Sequence, residues 1–265
     1  MAIINRIIIV SLISLFFISI PTSIKGNSEI SLEKIELRII DSYSLGVHSK
    51  NFTGLRSLCQ QLEEVSVEDN QFNFFYWKGY ANFRLAFADY YLLNNKESAL
   101  EAIQRSVESL NKAFELNASN NEMLSLLSMA LSFNASLNSK KNFMTNSRLM
   151  SRAEGYEKRV MIEESANVRS YLSKIMYEYY SASIVGQKEV LEKTCIKALY
   201  EAESLSKIHK AEPSWGRSLI YFFLIRHYID AKKATYAQIW LDEAVEKYPN
   251  DVYIAKLNKK ISKSR

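Results

Sequence analysis

Apolar residues recur at intervals of three and four positions along almost the whole chain after its first 28 residues. This spacing puts them on one face of an α-helix, so it predicts helices rather than strands. Short polar breaks, such as the one at 117–121, interrupt the pattern and divide the chain into about eleven helices of ordinary length. Several breaks end at residues that suit a helix N-cap, namely Asn121, Ser214 and Asn250.

The composition supports a helical fold. Only 7 of the 265 residues are glycine and 3 are proline. Sandwiches, barrels and propellers need turn residues every few positions, and phosphate-binding loops need clustered glycines, so these classes are disfavoured. A hydrophobic content of 48% and a charged content of 24% are ordinary for folded proteins. We therefore expect an all-α globular protein.

The N-terminus has the pattern of an export signal. Arg6 precedes an uncharged run of 14 residues at 7–20, and Gly26 offers a small residue for cleavage. An uncleaved membrane anchor is the alternative, but the run is shorter than the roughly 20 apolar residues that span a bilayer. Because no cysteine lies near the cut, a lipoprotein is disfavoured. We expect a signal peptide at 1–26, a single domain at 27–265 and a periplasmic or secreted protein.

An internal repeat is clearest at 218–251. Its first helix carries an aromatic residue, a leucine and a tyrosine, and its second carries two alanines around a leucine and ends at a proline. The motif residues are Tyr221, Leu224, Ile225, Tyr228, Ala237, Leu241, Ala244 and Pro249. The pattern resembles the tetratricopeptide repeat, with Ile225 where glycine or alanine is usual. A second piece, at 110–131, resembles the end of one such repeat and the start of the next.

Two aromatic segments extend this resemblance. The segments at 76–86 and 213–216 resemble exported tetratricopeptide proteins of Bacteroidetes-type bacteria. The resemblance implies a right-handed superhelical array of antiparallel helix pairs, an α-solenoid of about eleven helices, closed by a terminal helix at 251–263. The joints before Pro213 lie 47 to 49 residues apart, which also suits a HEAT-like array with repeats of about 40–47 residues.

The resemblance also implies where a partner binds. In such arrays the first helix of each pair lines a concave groove that holds peptides or partner proteins. On the clearest repeat the groove-facing positions are Leu219, Phe222, Arg226 and Ile229. By analogy, the candidates on earlier first helices are Trp77, Arg84, Tyr177 and Tyr180.

Motifs for chemistry are missing from the sequence. It contains no His-Glu-x2-His or Cys-x2-Cys metal motif, no nucleophile elbow and no dinucleotide-binding or Walker fingerprint. We therefore expect no catalytic residues, no cofactor and no metal site. Cys59 and Cys195 lie on apolar helical faces, which predicts buried free thiols rather than a disulfide.

Two residue clusters have both an ordinary and a functional interpretation. The aromatic stripe formed by Tyr76, Tyr80, Phe83, Phe87 and Tyr90 or Tyr91 is interpreted as core rather than as a ligand-stacking surface. A basic stripe near the C-terminus is interpreted as a solvated helix face rather than a nucleic-acid patch; its members are Lys256, Lys259, Lys260, Lys263 and Arg265.

The expected function is that of an exported, non-enzymatic scaffold or adaptor. It would bind a partner protein or peptide in the groove, and would bind no nucleic acid and not span a membrane after signal cleavage. The alternative is a glycan- or small-molecule-binding protein of the cell envelope that uses the aromatic residues of its N-terminal half, including Trp77.

Overall fold

The computed structural model describes residues 34–65, 69–138, 142–163, 168–185, 189–205 and 215–262. The described residues all belong to one compact unit of the chain, Ser31–Arg265. The predicted signal peptide at 1–26 lies outside them, as do Ser214, Lys263 and Arg265.

The described residues form eleven α-helices and one short π-helix, π1, and contain no strand. The predicted all-α class is thus confirmed for this part of the chain. The helices are α1 Ile35–Ser49, α2 Thr53–Glu64, α3 Gln71–Phe87, π1 Ala88–Leu92, α4 Lys96–Leu116, α5 Asn121–Leu137, α6 Phe143–Glu163, α7 Val168–Val185, α8 Glu189–Leu205, α9 Arg217–Asp230, α10 Ala234–Lys247 and α11 Val252–Ser262.

Side chains cap two helices one residue away from the predicted positions. The Asn120 side chain, not that of Asn121, accepts a hydrogen bond from the Met123 backbone N–H at 2.9 Å. At α11, the cap is Asp251 rather than Asn250, and its Oδ1 accepts from the Tyr253 N–H at 2.9 Å. Each carboxylate or amide oxygen takes up a backbone donor that the first helical turn leaves unpaired.

The helices pack in neighbouring pairs, and the odd-numbered ones form a continuous row. Helices α1, α3, α5, α7, α9 and α11 each pack on the next member of this row, while each even-numbered helix packs on its two neighbours in the chain. The α3–α4 contact is especially close, because a Cβ added at Gly79 would lie 2.6 Å from Leu110 Cγ. The sequence needs glycine there for the two helices to approach.

The first and last described helices meet. The Tyr253 ring of α11 stacks 6.0 Å from the Tyr43 ring of α1, and α11 also packs on π1. An array whose repeats contact only their neighbours in sequence makes no such contact. The row of odd-numbered helices therefore closes on itself.

Aromatic side chains from the odd-numbered helices fill the space that this closure creates. The Phe87 ring lies 4.8 Å from that of Phe133, 6.3 Å from that of Phe223 and 6.0 Å from that of Tyr253. Each such pair contributes about 0.5–1.5 kcal/mol beyond the burial of its area.

The predicted core role of the aromatic stripe on α3 and π1 is confirmed. Tyr76, Tyr80, Phe83, Phe87 and Tyr91 are all buried. The stripe therefore serves the packing of the odd-numbered helices.

Both cysteines are buried, as the sequence predicts. Cys59 lies on α2 and Cys195 on α8, and both are free thiols. Burial raises the pKa of Cys59 to about 12, and it also raises the pKa of Cys195 well above its ordinary value. Neither thiol is positioned as a reactive nucleophile.

Candidate functional site

A cleft of about 650 Å³ opens where α9, α11 and the end of π1 come together. Aromatic side chains line part of it, with Phe222 and Tyr253 buried and Tyr90 half-buried. Its walls are basic, with the side chains of Arg226, Lys256, Lys259 and Lys260. The cleft thus combines apolar area with concentrated positive charge.

The π-helix shapes one side of the cleft. It extends α3 by one wide turn, closed by the Leu93 N–H donating to the Ala88 carbonyl at 3.1 Å. Fully buried Asp89 holds this turn, because its carboxylate accepts from the Arg56 guanidinium and from Ser98 Oγ. Turns of this kind often mark functional sites, and here the turn presents Tyr90 and Tyr91 to the cleft.

Lys256 joins the two sides of the cleft. Its Nζ donates to the backbone carbonyl of Tyr91 and, at 3.5 Å, to that of Leu92. These carbonyls lie where the π-helix ends and regular helical hydrogen bonds stop. The ammonium therefore ties α11 to π1.

Positive charges crowd one another in the cleft. The pKa of Lys256 is lowered, first by its burial and then by the charges of Arg226 and Lys260. No aspartate or glutamate is among the described residues that line the cleft. The lining is therefore a cationic surface with no carboxylate of its own.

Arg226 of α9 is one of the basic residues that line the cleft. Its guanidinium lies 5.7 Å from the centre of the Tyr91 ring and 3.8 Å from a carboxylate oxygen of Asp230. Its Nε is buried and has no hydrogen-bond partner among the described residues. Burial by itself lowers the pKa of Arg226, but Tyr179, Tyr91 and Asp230 raise it overall, so the side chain stays charged.

The structure brings two of the predicted groove residues together in this cleft, Phe222 and Arg226. Leu219 and Tyr180 are instead buried in the aromatic core, where the Tyr180 and Tyr91 hydroxyls are 2.8 Å apart. Ile229 is partly exposed and does not line the cleft.

The three remaining groove candidates lie away from the cleft. Trp77 is half-buried, with its ring 4.9 Å from that of Tyr76. Arg84 lies over the Tyr43 ring with its Cζ 4.0 Å from the ring centre. Tyr177 is half-buried on α7, and burial followed by the charge of Glu154 raises its pKa to about 12. The candidates do not form one continuous surface, because aromatic side chains fill the inner face of the row.

The sequence did not identify the contribution of α11 to the cleft. Its lysines stood out as a basic stripe, yet Lys256 bonds to a carbonyl 165 positions away in the chain. No local pattern encodes that contact. The one available signal was the position of Tyr253, an aromatic residue one turn before the first of these lysines.

Within the described ranges, no three His, Cys, Asp or Glu side chains come together in a way that suits a metal ion. Over the same residues, every helix is either too short or too polar to cross a bilayer.

Compared with known proteins, the chain matches no protein-family model, no curated protein and no solved structure.

Proposed function

We propose that the protein is an exported, non-enzymatic adaptor that binds an acidic segment of a partner protein in the cleft between π1, α9 and α11. In this proposal the helix pairs form a right-handed, tetratricopeptide-like superhelical array whose first and last described helices meet through Tyr43 and Tyr253, and the cleft is the part of its concave face that remains open. The observation that carries the proposal is the lining, which holds four basic side chains and no carboxylate.

The electrostatics favour an anionic partner. Four positive side chains around one cavity attract negative charge over about a Debye length, roughly 10 Å at 0.1 M salt. Such a field raises the rate of encounter with an acidic partner and repels basic ones. The partly exposed ring of Tyr90 gives apolar area against which the backbone and stems of a peptide pack.

A small anionic ligand is the second candidate, and the cleft volume favours it. The volume of about 650 Å³ falls in the range of small-molecule sites, roughly 300–1,000 Å³. Glycan stacking needs an open aromatic face, and in the cleft only Tyr90 is more than slightly exposed among the four rings. Trp77, the aromatic residue favoured for this role by the sequence, packs against its neighbours instead.

Fluorescence anisotropy with labelled peptides tests the proposal. The purified protein is titrated into an octapeptide rich in glutamate, and into matched peptides in which lysine or serine replaces each glutamate. We expect saturable binding of the acidic peptide only.

Arg226→Gln provides the site-specific arm of this test. It should weaken binding of the acidic peptide by about tenfold or more, since a charge-assisted contact is worth about 1.5–3 kcal/mol. Arg148 is exposed on α6, so Arg148→Gln removes the same charge elsewhere and should leave the affinity unchanged. Equal binding of all three peptides, or equal loss in both variants, would refute the proposal.

A further inference from the structure

We infer that Arg84, together with the hydroxyls of Tyr43 and Tyr253, binds a small monovalent anion of the size of chloride where α1, α3 and α11 meet. This site is distinct from the cleft, because neither Arg84 nor Tyr43 is among the residues that line the cleft. It lies where the row of odd-numbered helices closes. The bound anion therefore links the closure of the row to the anion concentration, whatever the cleft binds.

Arg84 carries a positive charge with no close counter-ion. Its guanidinium lies over the Tyr43 ring, with Cζ 4.0 Å from the ring centre, and the side chain is half-buried. It makes neither an ion pair nor a hydrogen bond with any residue that the structure describes. Burial alone lowers the pKa of Arg84, but neighbouring tyrosines and Asp251 raise it overall, so the guanidinium stays charged. Its five N–H groups are donors without a protein acceptor.

The carboxylate of Asp251 acts on Arg84 from a distance because it has another role. Its Oδ1 accepts from the Tyr253 N–H at 2.9 Å and from the Ile254 N–H at 3.2 Å, which caps α11. A partly buried charge without a close counter-ion costs free energy. Water can accept from the guanidinium but leaves the charge in place, whereas an anion does both.

Two buried hydroxyls at the same junction also lack partners. Tyr43 is 7% exposed and Tyr253 is 1% exposed, and neither hydroxyl oxygen has a hydrogen-bond partner among the described residues. Buried tyrosine hydroxyls usually find one. Burial raises the pKa of both tyrosines, and the charge of Arg84 lowers the pKa of both. The guanidinium and the two hydroxyls therefore belong to one cluster.

A contact between the two hydroxyls does not use up their donors. Each hydroxyl affects the pKa of the other, so they lie near one another. Because a hydroxyl carries a single proton, a hydrogen bond from one to the other leaves the second proton free. The cluster thus offers a cation and at least one hydroxyl donor, which is the chemistry that an anion requires.

Ring packing around the cluster favours a small ligand. The Tyr253 ring lies 6.0 Å from the Tyr43 ring, 6.0 Å from that of Phe87 and 5.4 Å from that of Phe222. Since the Arg84 side chain is half-buried rather than enclosed, an ion reaches it from solvent. A monatomic anion suits this setting better than sulfate or the carboxylate of a peptide.

Chloride-dependent unfolding tests the site. The full chain is unfolded in urea at neutral pH and constant ionic strength, with gluconate replacing chloride. An anion that binds only the folded state lowers the unfolding equilibrium constant, and we expect a fall of about tenfold or more between about 3 and 300 mM chloride. In chloride NMR, the folded protein should broaden the chloride line, and bromide should reverse the broadening by competition.

Variants assign the site to its residues. Arg84→Gln should abolish both the fall in the unfolding constant and the line broadening. Tyr43→Phe combined with Tyr253→Phe keeps both rings and removes only the hydroxyls, so it should weaken chloride binding by about tenfold or more. Arg148→Gln, on an exposed part of α6, is the matched control and should keep the full response.

Three results would overturn the inference. An equal chloride response in the unmodified protein and in Arg84→Gln would show a general salt effect. An unmodified protein that responds to chloride in neither measurement would show that water alone solvates the guanidinium. If Arg84→Gln does not fold, the tyrosine double variant decides, and a chloride affinity unchanged from that of the unmodified protein overturns the assignment.

Discussion

Truncation of Tyr253 should destabilise the whole described unit rather than its C-terminal helices alone. The ring is 1% exposed and lies within 6.4 Å of the rings of Tyr43, Phe87, Tyr91 and Phe222, which belong to α1, α3, π1 and α9. Removing a buried aromatic side chain costs about 3–5 kcal/mol. Since folded proteins are stable by about 5–15 kcal/mol, Tyr253→Ala should remove a large part of the total.

Urea unfolding with two local reporters measures how far that loss spreads. One background retains only Trp77, on α3, and the other only Trp240, on α10. Because α11 contacts the first helices directly, unfolding should be cooperative, and Tyr253→Ala should lower the free energy of unfolding by the same amount at both reporters, within about 0.5 kcal/mol.

Tyr236→Ala is the matched control. Tyr236 is 55% exposed on α10, so its truncation should cost less than about 1 kcal/mol. A Trp77 transition that does not move when the Trp240 transition shifts would contradict the coupling of α11 to the first helices. That result is the behaviour of a linear array, whose repeats unfold in separable steps.

Three further predictions concern single residues. Gly79→Ala should destabilise the protein by about 1–3 kcal/mol through overpacking against α4. Gly155→Ala, whose added methyl group meets open space on α6, should stabilise it by up to about 1 kcal/mol. Thermal unfolding measures the two changes, and we expect opposite shifts of Tm. Burial raises the pKa values of Cys59 and Cys195. A thiol reagent such as DTNB at mildly alkaline pH should therefore label neither cysteine in the folded protein and both in urea. Rapid labelling before unfolding would contradict their burial. Burial also raises the pKa of Glu157, so the stability present below its unfolded pKa is lost as the pH rises through its folded pKa. Glu157→Gln should flatten this fall in urea titrations carried upward from pH 4.5, and an unchanged slope would contradict the prediction.

Local structure could be predicted well from the sequence because its determinants lie close together in the chain. The motif residues of the repeat at 218–251 that lie on α9 and α10, from Tyr221 to Ala244, are all buried, as their spacing predicts. The terminal helix expected at 251–263 is observed as Val252–Ser262. Periodicity therefore determined which residues face the core, including Ile225, which departs from the usual repeat pattern.

The candidate site was only half predictable, because it depends on contacts between distant parts of the chain. Phe222 and Arg226 emerged from the spacing on one helix, and both line the cleft. The other residues of the cleft belong to π1 and α11. A regular helical pattern does not indicate π1, and α11 packs at the cleft through contacts of Tyr253 and Lys256 with distant parts of the chain. Basic residues that appear solvated on a single helix thus become one side of a cleft when the row closes.

Site-specific photo-crosslinking tests directly whether the acidic segment binds in the cleft between π1, α9 and α11. A benzophenone side chain replaces Tyr90, which is half-exposed in the cleft, or Tyr200, which is 80% exposed on α8. We expect the acidic octapeptide to crosslink from position 90, the unlabelled peptide to compete this crosslink away, and position 200 to give no crosslink. Equal crosslinking from both positions, or none from position 90, would contradict binding in the cleft.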